Sequence, residues 1–101
     1  MEEKAYTYIV LCSADSSLYC GWTTDLDKRI EAHNNGTGAK YTQKRGPVKL
    51  IYSEEFDTRS KACQRECIIK EMSRKQKLKL IQSKYPDFII DKCDLERHQR
   101  K

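Results

Sequence analysis

Apolar residues in this chain fall into short runs cut by polar, Gly and Pro punctuation, and the period of each run predicts an element. Residues 6–12 (YTYIVLC) are aromatic and β-branched without a breaker, a strand signal. Ala14-Asp15-Ser16-Ser17 has turn chemistry, and 18–22 (LYCGW) resumes as a second strand, so the two form a hairpin. Thr23-Thr24-Asp25 offers N-cap side chains for a helix running to about Asn34. Residues 35–47 (NGTGAKYTQKRGP) hold three of the four glycines and read as a long basic loop. Val48–Phe56 is a third strand, and Asp57 or Thr58 caps a second helix through about Met72. Ser73 followed by Gln76 is a capping box that starts a third helix, running to about Ser83. The order β-β-α-β-α-α predicts an α+β domain over 1–83, a three-stranded antiparallel sheet with its helices against one face. A basic tail follows over 84–101, to which the pattern assigns no element.

Polar residues on the inward helix stripes change this picture. In the first helix Leu26, Arg29, Ile30 and His33 share one stripe, and in the second Ala62, Glu66 and Ile69 do. A packing account has Arg29 at the rim, His33 in a partly polar core and Glu66 paired, with Arg29 the obvious partner. A functional account has the same three residues as a site, where such departures from core patterning are expected. On the hairpin, Tyr6 and Tyr8 point to one side of the first strand and Tyr19 lies on its partner. Gly21 leaves a bare spot on the Tyr19 face, able to admit a ligand or another backbone.

At 101 residues there is room for one domain. Twenty Lys and Arg against 15 Asp and Glu give a formal +5, which favours an anionic partner, nucleic acid first. The stretch Lys70–Lys84 gathers Lys70, Arg74, Lys75, Lys77, Lys79 and Lys84 against Glu71 alone, a phosphate-binding surface or a solvated helix face. No run approaches the ~20 apolar residues that cross a bilayer, and the N-terminus lacks a signal-peptide pattern. Five cysteines without a CxxC point to reduced thiols in a cytoplasmic protein. Cys63 and Cys67, one turn apart, could join Cys93 or His98 around a metal, but zinc-finger spacing is missing.

Tyr6-Thr7-Tyr8 and Tyr19-Cys20-Gly21 resemble the two short elements that name the GIY-YIG nucleases. Arg29 follows Gly21 by eight residues and His33 follows by four more, as in that family's first helix, and Glu66 matches its metal-binding glutamate. The stretches YCGWTTDLDKRIEAHN, GAKYT, PVKLIYSEEF and IKEMSRKQKLKLI are similar to small stand-alone bacterial members of the YhbQ type. Together these cover about residues 5–82.

This resemblance implies a single GIY-YIG domain hydrolysing phosphodiester bonds with a divalent metal, magnesium or alternatively manganese. It implies DNA rather than RNA as substrate, repair or recombination intermediates among the candidates, and room for a protein partner in repair. Glu66 would hold the metal, Arg29 the phosphoryl oxygens, and Tyr8 or Tyr19 would help take a proton from water, with His33 in support. These five side chains are expected on one concave surface. Lys40, Tyr41, Lys44 and Arg45 in the loop, and Arg74, Lys75, Lys77 and Lys79 beyond it, would contact nucleic acid. Tyr6 stands where the family has glycine, Cys20 is the middle of the second element, and no asparagine follows Glu66 as in several relatives. The alternative function is a non-catalytic nucleic-acid-binding module, or a repair-protein docking domain, on the same fold.

Overall fold

The computed structural model describes residues 4–36 and 47–85. The elements are β1 (Ala5–Cys12), β2 (Leu18–Thr23), α1 (Leu26–Asn34), β3 (Val48–Phe56), α2 (Arg59–Lys70) and α3 (Arg74–Lys84). They form one antiparallel sheet in the order β2-β1-β3, the expected β-β-α-β-α-α architecture. Tyr8 pairs with Gly21 and Val10 with Tyr19 across the hairpin. On the other side Ile9 pairs with Tyr52 and Val10 with Leu50, so Ile51 bulges out of β3.

The helices divide between both faces of the sheet, which corrects the one-face expectation. On one face Tyr8, Val10, Cys12 and Val48 pack with Leu26 and Ile30 of α1. On the other Ile9, Cys20 and Tyr52 pack with Ile69 of α2 and Leu78 and Ile81 of α3. The cause is legible in β1. Its central residues Thr7 to Val10 are all buried, so the strand needs cover on both sides, and a continuous apolar run is what such a strand carries.

Local chemistry sets the element ends. Asp25, Thr58 and Ser73 are the N-caps, each side chain accepting from a backbone N–H three residues on, and the Ser73–Gln76 capping box is present. The hairpin turn is held by Asp15, whose Oδ1 accepts from the Ser17 N–H at 3.0 Å and the Ser17 hydroxyl at 2.6 Å. Asn34 Oδ1 accepts from the Val48 N–H at 2.6 Å, tying the end of α1 to the start of β3. The buried Thr7 hydroxyl donates to the Ala62 carbonyl at 2.7 Å and fixes α2 on β1. Arg65 grips Glu54 through Nε at 3.0 Å and through Nη2 at 3.1 Å, while the Tyr52 hydroxyl also donates to Glu54. α2 is thereby pinned to β3 as well as to β1.

Candidate functional site

Four of the five expected catalytic side chains meet on the α1 face. α1 delivers Arg29 and His33 from successive turns of one stripe, and the hairpin delivers Tyr8 and Tyr19. Tyr8 is fully buried and His33 is 1% exposed. The Tyr8 hydroxyl stands 2.9 Å from His33 Nε2 and accepts from Arg29 Nε at 3.2 Å. Guanidinium can only donate, so the phenol spends one lone pair on Arg29, and its proton goes to Nε2 when His33 is the Nδ1-protonated tautomer. The surroundings favour a neutral imidazole. Burial lowers its pKa below the usual 6.5, and the Arg29 charge adds to this. Burial raises the Tyr8 pKa above 10.0, only partly offset by Arg29. Tyr19 sets its ring edge-on to His33 at 5.5 Å between centroids. Hydrogen bonding to Tyr8, with Tyr19 contributing, holds the Arg29 pKa above its ordinary value. One guanidinium thus serves both tyrosines.

Gly21 explains how Tyr8 fits. A Cβ at this position would lie 2.6 Å from the Tyr8 hydroxyl oxygen, 2.8 Å from its Cζ and 3.3 Å from Tyr19 Cε2. The bare spot that the sequence leaves open to a ligand is therefore filled by the protein's own phenol. The glycine lets a tyrosine ring lie across the neighbouring strand.

Glu66 comes to the site from a different element. It stands on α2, between the buried Ala62 and Ile69, close enough to Cys20 for its charge to act on that thiol. Burial first, and Glu66 second, push Cys20 up to about 12, so it is an unreactive thiol at neutral pH. The partner of Glu66 is not Arg29 but Lys70, one turn on, with Nζ 3.8 Å from Oε1. α1 and α2 lie on opposite faces of the sheet, so Glu66 approaches the other four residues at the edge strand β2. Lys70 bridges the gap, since the same ammonium lies 5.8 Å from the Tyr19 ring centroid. Glu66 and Lys70 at i, i+4 on a predicted helix were visible in the sequence, but the approach of Lys70 to Tyr19 depends on how α2 crosses β2.

The expected nucleic-acid contacts divide. Lys40, Tyr41, Lys44 and Arg45 lie outside the described residues. Lys75 and Lys79 are exposed on α3, whereas Lys77 is half-buried, and burial lowers its pKa. Arg74 and Lys77 face the Cys20 region with Lys70, so the basic stretch has two faces and not one.

A metal at this site would have Glu66 as its carboxylate. Among the described residues no group of three or more His, Cys, Asp or Glu is placed to hold an ion, and Cys63 and Cys67 are exposed free thiols. Cys93 and His98, the further ligands considered for Cys63 and Cys67, lie outside the described residues. Magnesium fits, because it keeps several waters and takes one or two carboxylates together with substrate phosphates. None of the helices among the described residues is long and apolar enough to cross a membrane.

The comparison with known families matches residues 4–79 to the GIY-YIG catalytic domain. The chain is 60% identical over 79 residues to UPF0213 protein CPE1444 of Clostridium perfringens, covering 78% of this chain and 84% of that one. It is 53% identical over 99 residues to UPF0213 protein YsiG of Lactococcus lactis, covering 95% and 91%. The solution NMR structure of protein EF2693 from E. faecalis superposes with a TM-score of 0.57 at 41% identity, covering 90% of this chain and 98% of that chain. The UPF0213 protein BH0048 from Bacillus halodurans gives a TM-score of 0.53 at 42% identity, covering 80% and 85%. None of these names states a reaction.

Proposed function

The chain belongs to the GIY-YIG catalytic domain family, and from that premise we propose that it is a metal-dependent endonuclease hydrolysing phosphodiester bonds in DNA, with repair or recombination intermediates as its substrate class. The observation that carries the reading is the hydrogen-bonded chain from half-buried Arg29 to buried Tyr8 and His33, beside Tyr19. A phenol and an imidazole buried in so small a core beneath a cation at its rim cost stability, and a proton-transfer role accounts for keeping them.

Tyr8 or the more exposed Tyr19 would take a proton from the attacking water; where Tyr8 acts, its oxygen receives that proton while its own passes to His33 Nε2. No free phenolate forms, which matters because burial raises the Tyr8 pKa. Neutral His33 is the proton sink, and its depressed pKa keeps it unprotonated and ready near neutrality. Arg29 holds the phenol through Nε and turns its remaining donors to the phosphoryl oxygens, where a planar guanidinium suits two acceptors. Glu66 would hold the divalent cation, which when bound supplies charge neutralisation at the phosphate and the leaving oxygen. Reduced thiols and the basic surface fit action on nucleic acid in the cytoplasm.

The test is a panel of labelled duplex, forked and single-stranded DNAs incubated with the protein and magnesium. Wild type should cleave at least one substrate and stop on chelation. Glu66→Gln should bind the same DNA without cleaving it. Its stability should fall by only ~0.3–0.5 kcal/mol, since an i, i+4 helix pair is all that is lost. A well-folded Glu66→Gln protein that cleaves at the wild-type rate ends this mechanism. Binding without cleavage by wild type across the panel would move the assignment to a nucleic-acid-binding module.

A further inference from the structure

Lys70 is the side chain that connects the two halves of the site. It leaves α2 one turn after Glu66, and its side chain is 49% exposed while that of Glu66 is 16% exposed. Its Nζ lies 3.8 Å from Glu66 Oε1 and 5.8 Å from the centre of the Tyr19 ring. Lys77 of α3 acts on the same Cys20 thiol as Lys70 and Glu66, and Arg74 in turn acts on Lys77. Glu66 is therefore a paired acid. A divalent ion approaching it meets an ammonium already in place.

We propose that Lys70 is a positioning residue of this site: it neutralises Glu66 in the free protein and passes to a phosphate oxygen when nucleic acid and a divalent cation arrive together. The inference rests on the endonuclease reading for its second half and on the free protein's geometry for its first. The stem of Lys70 has the reach, because the ammonium already sits between Glu66 and Tyr19 on the exposed side of β2. Electrostatics gives the direction. A carboxylate paired with an ammonium is a poorer ligand for a dication than a free one. A polyanion beside it reverses that balance by drawing Lys70 onto itself. Metal binding is then conditional on substrate, and Lys70 is the group that enforces the condition.

The experiment titrates Mn2+ into the full-length protein without DNA at low ionic strength, followed by electron paramagnetic resonance. The variants are Lys70→Met, Lys70→Arg and Lys70→Met combined with Glu66→Gln. Lys70→Met should bind Mn2+ about two- to five-fold more tightly than wild type, the range expected for removing one partly exposed ion pair. Lys70→Arg should remain near wild type, and the double variant should lose the gain. In DNA binding, Lys70→Met should lower the slope of log K against log salt by ~0.7–0.9, the share of one phosphate contact. Equal Mn2+ affinity in wild type and Lys70→Met overturns the proposal, as does a gain that survives Glu66→Gln. The titration needs no cleavage, so its outcome stands apart from that of the nuclease test. Wild type could cleave DNA with Lys70 irrelevant to metal, or fail to cleave with Lys70 still shielding Glu66.

Discussion

Gly21→Ala is a one-methyl perturbation whose effect can be worked from distances. The new Cβ would sit 2.6 Å from the Tyr8 oxygen and 2.8 Å from Cζ, so the phenol has to retreat by roughly 1 Å to reach ordinary van der Waals contact. A terminal atom on a flexible chain could do this cheaply. Tyr8 cannot, because its ring is rigid, fully buried, and held at the hydroxyl by His33 and Arg29. Overpacking of this kind costs ~1–3 kcal/mol. Loss of the buried hydrogen bonds adds ~1–3 kcal/mol. Replacing glycine in a strand returns ~0.5–1 kcal/mol. The net expectation is a loss of ~2–4 kcal/mol in urea unfolding, which for a domain near this size lowers Tm by roughly 8 °C or more. Tyr8→Phe in the Gly21→Ala background removes the atom at 2.6 Å but leaves Cζ, so it should recover part of the loss, and the double-mutant cycle should show coupling. Gly21→Ala with a wild-type Tm, or a cycle that is purely additive, would refute the claim that the glycine exists to seat Tyr8.

The other predictions use the same contacts. His33 has a folded pKa depressed below its unfolded value near 6.5, so its contribution to stability is present above that pH and lost as pH falls through the folded pKa. Urea midpoints measured from pH 8 to pH 5 should therefore drop below about 6.5, and His33→Gln should flatten that slope. Neutralising exposed Lys75 and Lys79 together should reduce the salt slope of DNA binding by up to ~1.8, while Lys77→Met should cost little slope and could raise stability by relieving a half-buried charge. Fluorescence anisotropy across a salt series checks both, and an unchanged slope for the Lys75/Lys79 pair would make that face merely solvated.

Element order was legible because local signals agreed. Asp25, Thr58 and Ser73 each stand at an N-cap that the sequence offered, and the Ser73–Gln76 box starts α3 where the pattern put it. The layer arrangement was misread, although β1 carried the clue. YTYIVLC does not alternate, and only cover on both faces accounts for that run. On α1 the stripe correctly joined His33 to Leu26 and Ile30, since one helix fixes its own faces. Between elements this rule gives nothing. The expected Arg29–Glu66 pair fails because α1 and α2 lie on opposite sides of the sheet, and each residue takes the nearest partner on its own side: Tyr8 for Arg29, Lys70 for Glu66. Gly21 was noticed but its occupant was not, because the cross-strand register that sets Tyr8 opposite it is a tertiary fact.

That register also constrains how a substrate could use the site. On the endonuclease reading the proton-accepting pair Tyr8–His33 lies under α1 and the carboxylate Glu66 on the α2 side. A single phosphodiester serving both is placed at the edge of β2, the edge strand that carries Tyr19. Among the described residues β2 pairs only with β1, which leaves its outer edge without a strand. Its flanks are positive, with Arg29 on one side and Lys70, Arg74 and Lys77 on the other. A polyanion running along that edge would meet a cation from each face, and Tyr19, in contact with His33 and Lys70 alike, marks the crossing point. Substrate engagement by such a surface depends on an accessible backbone more than on base identity, because every group named here addresses phosphate or water and none reaches toward a base edge.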